Sequence, residues 1–183
     1  MFARTVQIRL LALLSIAALL LIAGCGEDDE GRGGGVPAST TCTAPDCDAK
    51  IGAVVDQTNQ ARSQQRDCGE HGSMDAAASL TADAALHEAA QAHANDMAAN
   101  DFFSHTGSDG SQFFERIESA GYEGQPVGEN IAGGRTTAEQ VVSGWMQSDG
   151  HCRNIMNASA TKIGVGFAEG GSYGTVWVQV FGR

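Results

Sequence analysis

The sequence predicts an α+β domain with helices first and a β-hairpin last. Three observations carry that reading. Apolar residues recur at three- and four-residue spacing between Ile51 and Met146, as in amphipathic helices, and then alternate singly from Ile163 to Phe167, as in a half-buried strand. Gly170-Gly171 separates that stretch from Tyr173–Phe181, an aromatic and β-branched run, as the turn of a hairpin would. The length of 183 residues and the 42% apolar content suit one packed domain.

The chain opens with Arg4 and Arg9, an apolar run from Leu10 to Ala23, and Gly24 just before Cys25. That pattern reads as a secretory signal peptide over residues 1–24. Ile22-Ala23-Gly24-Cys25 resembles a bacterial lipobox, which makes Cys25 the expected lipidation site. Residues 25–48 are then a lipidated tether, acidic from Glu27 to Glu30 and glycine-rich from Gly31 to Ser39, with the flexibility of a spacer. Acyl chains such as palmitate would hold it in a bilayer at about 0.8 kcal/mol per buried methylene. The resemblance to Gram-negative lipoproteins, in which Asp after the cysteine retains the protein at the inner membrane, favours the outer membrane here because Gly26 stands at that place.

The folded domain is expected over residues 49–183. Ile51, Val54, Val55, Thr58 and Ala61 fall on one stripe, so a first helix is expected over 49–66. Gly69 to Ser79 reads as a loop. Thr81 is the expected cap of a second helix that has Asp83 in its first turn and buries Leu86, Ala90, His93 and Met97 down to Asn100. A third helix fits Ser111–Ala120, with Phe113, Phe114 and Ile117 as its buried face and Gly121 as its stop. Val127–Ala132 is a candidate strand. Thr136 and Glu139 have capping-box spacing ahead of a fourth helix ending near Gln147, whose core side is Val141, Val142, Trp145 and Met146.

Charge and cysteines bound the function. Lys plus Arg number 11 against 22 Asp plus Glu, and loss of the leader's two arginines leaves 9 against 22, a formal net charge of −13. A nucleic-acid partner is not expected, because phosphate binding relies on clustered Lys and Arg. No stretch after residue 24 approaches the roughly 18 consecutive apolar residues of a membrane helix. Besides Cys25 the chain holds Cys42, Cys47, Cys68 and Cys152, an even set that export would oxidise. Three connectivities are open; Cys42–Cys47 with Cys68–Cys152 is the expected one, the first closing a small loop and the second enclosing most of the domain. A zinc cluster is the rival, weakened by the lack of paired C-x-x-C spacing.

Several motifs fail on geometry. His87-Glu88 with His93 is not the H-E-x-x-H zinc helix, since its histidines are six apart and project on different sides. His93 reads as a core histidine bonded through its ring nitrogens. Ser104-His105 and Ser148-Asp149-Gly150-His151 hold the residue types of a serine triad without a G-x-S-x-G elbow. Gly164-Val165-Gly166 lacks the third glycine and following helix of a phosphate loop.

Three other segments bring titratable groups together with small residues: Phe102-Phe103-Ser104-His105-Thr106-Gly107, Gly128-Glu129-Asn130-Ile131-Ala132, and Trp145 through Met156 with its Gly150-His151-Cys152 core. With Asn59-Gln60-Ala61-Arg62, His93 through Met97, and the closing Ile163–Ala168 and Trp177–Gly182 stretches, they resemble, in order, the bacterial branch of the CAP superfamily. That superfamily, also called SCP domains, groups cysteine-rich secretory, antigen-five and pathogenesis-related proteins. The resemblance covers about residues 50–183 and implies a three-layer α-β-α sandwich. It implies a cleft with two histidines and two acids, in some members binding zinc or another divalent ion. By motif the histidines are His105 and His151 and one acid is Glu129, with Asn130 beside it. The second acid's place is taken by Ser148, and Asp149 is only adjacent. The resemblance also sets Cys68 beside Cys152.

Two imidazoles and a carboxylate resemble the ligand set of zinc hydrolases. The expected function is nevertheless an exported, membrane-anchored, monomeric binding module. It would present the cleft, with or without a divalent metal at His105 and His151, to a lipid, glycan or protein of the cell envelope. The alternatives are a metal-dependent hydrolase of peptide or cell-wall substrates with Glu129 as candidate catalytic base, and an envelope scaffold without chemistry.

Overall fold

Helix α1 (Cys47–Arg62) starts two residues earlier and stops four earlier than its apolar stripe predicts. Its ending follows from Arg62, which is fully buried and donates to the carbonyl oxygens of Ala78, Ile155, Asn157 and Ala160 at 2.6–3.2 Å. A guanidinium out of water needs such partners, and these pin the helix end to distant segments. The computed structural model describes Cys42 and residues 46–183. The predicted leader, lipidation site and nearly all of the tether lie outside the described residues.

The expected loop after α1 contains a small antiparallel pair, β1 (Arg66–Asp67) and β2 (Ser73–Met74), around a 3-10 turn at Gly69–His71. Thr81 does not cap the second helix. Thr81–Ala82 forms β3, and Asp83 is the cap of α2 (Ala84–Ala99), its Oδ1 accepting from the amides of Ala85 and Leu86 at 3.0 and 3.1 Å. Such a cap contributes about 1 kcal/mol. Helix α3 is shorter than expected, Phe113–Ser119, closed by a capping box between Gln112 and Glu115. Ile117 is buried, but Phe114 is 47% exposed and does not belong to the core. The fourth helix, α4 (Ala138–Met146), is capped by Thr137 rather than Thr136, and a further helix, α5 (Asp149–Met156), follows that periodicity did not reveal.

Three longer strands complete the fold: β4 (Pro126–Gly133), β5 (Lys162–Gly170) and β6 (Gly174–Gly182). The sheet runs β3-β5-β6-β4, with β3 parallel to β5 and the other pairs antiparallel. The hairpin turn needs left-handed backbone at Gly171 (φ 61°) and Gly174 (φ 72°), which excludes Tyr173 from the strand predicted for it.

Strand alternation builds the layers. Ile163, Val165 and Phe167 on β5, with Trp177 and Phe181 on β6, share a core with residues of α1, α4 and α5. The opposite faces supply Ala168, Val176, Val178 and Val180 to a second core with α2 and Ile117 of α3. Gly164 and Gly166 lie on that second face because a Cβ there would run into the backbone of α2 at Leu86–His87 and at Ala90–Gln91. The result is an α-β-α sandwich. Each fully buried large apolar side chain contributes about 1.5–3 kcal/mol. Disulfides join Cys42 to Cys47 and Cys68 to Cys152, as expected. The second closes a loop of 84 residues, worth about 4–5 kcal/mol in the chain-entropy model.

Candidate functional site

Strand β4 ends the sheet, and its alternation sends Glu129 toward the α2–α3 layer and Asn130 toward α5. Glu129 is buried, and both of its carboxylate oxygens are engaged. Oε1 accepts from Nδ1 of His105 at 2.7 Å, and Oε2 accepts from Nη2 of Arg116 on α3 at 2.8 Å. Arg116 also donates to the His105 carbonyl at 3.0 Å and to the Ser111 carbonyl at 2.8 Å, so one guanidinium holds both the acid and the loop beside it. A buried carboxylate is tolerated when paired and hydrogen-bonded in this way.

His105 sits between that buried pair and solvent, its side chain 53% exposed. Because a carboxylate oxygen only accepts, the proton of neutral His105 lies on Nδ1 and its Nε2 is left as an acceptor. The loop under His105 is fixed from α2. His93 is fully buried, and its Nε2 donates to the Ser104 carbonyl at 2.9 Å. Only that ring nitrogen is bonded, whereas both were expected to be; Nδ1 is buried without a partner. Burial first, and the Arg116 charge second, hold the His93 pKa below its usual value.

On the other face, a chain of amides orders the start of α5. Asn154 Nδ2 donates to Asn130 Oδ1 at 2.9 Å and to the Glu129 carbonyl at 3.2 Å. Asn130 Nδ2 donates to Gln179 Oε1 at 3.1 Å and to the His151 carbonyl at 3.3 Å, and Gln179 Nε2 donates to Thr58 of α1 at 2.8 Å. His151 is half-buried on α5. Desolvation, then the nearby His105 charge, lower its pKa, so the neutral imidazole is favoured.

The structure thus joins His105 to Glu129, and Asn130 to the backbone of His151, with the two histidines close enough to sense each other's charge. Ser148 is the N-cap residue of α5 and makes no side-chain capping bond. The Asp149 carboxylate accepts from the Glu70 amide at 2.9 Å and faces the Gly69–His71 turn. Arg116 and Asn154 were not singled out by sequence. The signal that could have found the first is that a glutamate destined for a sheet strand requires a cation.

A catalytic zinc site takes three protein ligands and an open position. Among the described residues no three His, Cys, Asp or Glu side chains form a set able to hold a metal ion. Glu129 is already spent on His105 and Arg116, which leaves two imidazoles. The described residues do not fit a three-ligand centre. Among the described residues, no helix is long and apolar enough to cross a membrane.

The model of the family described as CAP, the cysteine-rich secretory protein family, matches residues 55–181. The chain is 36% identical over 144 residues to YkwD of Bacillus subtilis, an alignment covering 78% of this chain and 51% of that protein. It is 35% identical over 89 residues to the membrane protein YlbC of the same organism, covering 49% and 26%. The chain therefore spans about half or less of the curated relatives it matches. Among solved structures, an extracellular SCP-domain protein of Bacillus anthracis superposes with a TM-score of 0.62 at 28% identity, covering 75% of this chain and 41% of that one. An outer surface protein of Borrelia burgdorferi shares the fold, with a TM-score of 0.60 at 20% identity over 74% and 92% of the two chains. The motifs read from sequence and the match across both halves of the sandwich agree, and the chain belongs to the bacterial branch of the CAP, or cysteine-rich secretory protein, family.

Proposed function

We propose that this is an exported CAP-domain protein, lipid-anchored through Cys25, whose cleft at His105, Glu129, Asn130 and His151 recognises a ligand of the cell envelope. One observation carries the choice of recognition over hydrolysis. The Glu129 side chain is only 2% exposed, with one oxygen on His105 and the other on Arg116, so a water giving up its proton there would first have to enter a buried ion pair. The partly exposed imidazoles of His105 and His151, with Glu129 and Asn130 buried beside them as their supports, are instead suited to binding. A divalent ion belongs to this proposal only as part of the bound ligand, held by the imidazoles of His105 and His151, with its remaining positions filled from outside the chain. The likeness to an extracellular and an outer surface protein supports the exported location.

The test offers the purified full chain a panel of peptidoglycan fragments, phospholipid vesicles and mixed peptides, following binding by calorimetry and cleavage by mass spectrometry. The expected result is saturable binding of one class, lost in the His105→Ala, His151→Ala double variant, with no cleavage. Cleavage of any member that disappears in Glu129→Gln would establish the hydrolase instead.

A further inference from the structure

Helix α3 separates the cleft from a second depression. Its Arg116 turns to Glu129, while Phe114 and Glu118, four residues apart, share the opposite side. Phe114 and Ile117, with Tyr122, Gly124 and Pro126 of the connection into β4, wall a groove of about 390 Å³, and Glu118 and Glu123 complete it. That volume lies in the range of ligand pockets, roughly 300–1,000 Å³.

The groove has two properties that select an occupant. It is aromatic and exposed: Phe114, one of three large apolar side chains left exposed among the described residues, meets only the neighbouring Phe113 ring edge-to-face at 5.7 Å and keeps 47% of its surface open. The Tyr122 ring is laid down as a wall where Gly124 and Gly182 have no Cβ to displace it. The groove is also acidic without compensation. Glu118 and Glu123 are both exposed, and among the described residues neither takes part in an ion pair. The guanidinium of Arg183 is held on Gln125. Carboxylates above aromatic faces attract a cation carried on an apolar stem, through Coulomb attraction and the ring quadrupole together.

We propose that this groove is a second docking site, taking a lysine or arginine side chain and the apolar residue beside it from a segment of a partner protein. The net charge of −11 steers basic segments toward the chain and repels anionic phospholipid surfaces. Along β4 the groove's Pro126 and the cleft's Glu129 are three residues apart, about 10 Å. Helix α3 stands between the two, and the groove does not depend on the cleft for its occupant.

The experiment titrates acetyl-Leu-Arg-Leu-amide into the isotope-labelled full chain and follows amide shifts by NMR. Its control is the same peptide with citrulline for arginine, which keeps the shape and removes the charge. Saturable shifts are expected at Phe114, Glu118 and Tyr122–Gly124. Affinity should fall about fivefold with citrulline and about fivefold in the Glu118→Gln, Glu123→Gln double variant, whose other amides should stay in place. The His105→Ala, His151→Ala variant should retain the binding, which keeps failure of the groove distinct from failure of the cleft. No saturation by about 1 mM peptide, equal affinity for the citrulline peptide, or undiminished affinity in the double variant would overturn the proposal. Phosphatidylcholine vesicles that saturate the same amides and displace the peptide would assign the groove to a lipid cation and overturn the protein partner.

Discussion

Arg116 decides whether Glu129 can be where it is. Its side chain is 11% exposed against 2% for the glutamate, so the pair is largely withdrawn from water, and removing the cation strands a buried negative charge. Arg116→Met is expected to cost about 3 kcal/mol of stability, read as a lower urea midpoint. A change below about 0.5 kcal/mol would show that the carboxylate finds water instead. His93 gives a pH dependence of definite sign. An unfolded imidazole takes up its proton near pH 6.5, while burial and Arg116 hold the folded value lower. The unfolded chain therefore binds more protons below about pH 6.5, and stability is full above that value and falls as pH drops toward the folded one. His151 adds in the same direction, its own folded value lowered by burial and His105. The urea midpoint should decline between about pH 7.5 and 5.5, with a shallower decline in His93→Gln; identical slopes would remove His93 from the explanation. At this scale the contact of His105 with Glu129 joins two residues that short motifs had marked in the sequence. Arg116 was not marked, because it lies thirteen residues from Glu129 on another element and only packing brings them together.

Elements were legible where periodicity was long and failed where tertiary pairing competed with local rules. Thr81 is a sound cap by residue type, but its backbone is drawn into a parallel bridge with β5 and the cap passes to Asp83. Helix α5 has eight residues, too few to show a period, and it is braced by the Cys68–Cys152 bridge and by the bond from its Asn154 to Asn130 of β4. Phe114 was assigned to the core by spacing alone, yet α3 buries only the side carrying Ile117. The close approach of β5 to α2 is set by Gly164 and Gly166. Gly166→Ala is expected to push α2 off the sheet and to cost about 2–3 kcal/mol, measured as a loss in the denaturation midpoint. An unchanged midpoint would mean that the helix shifts freely.

For the molecule as a whole, alternation along β5 predicted a strand with one buried face, and the structure buries both, because Gly164 and Gly166 let α2 lie directly on the second; a layer of helices on each side of the sheet follows. What the sequence could not show is how the edge strand β4 divides its neighbours, presenting Glu129 to one layer and Asn130 to the other. That division gives Glu129 and Asn130 partners inside the protein, and among the described residues no three His, Cys, Asp or Glu side chains form a set for a metal ion. The proposal of recognition rather than metal-dependent hydrolysis rests on it, and calorimetric titration of zinc into the full, oxidised chain beside its His105→Ala, His151→Ala variant tests it. Two imidazoles should give at most a weak site, with a Kd above about 10 μM, that the variant loses. A stoichiometric site with a Kd below about 0.1 μM, abolished in the variant, would show a complete ligand set and contradict the reading of Glu129 as spent.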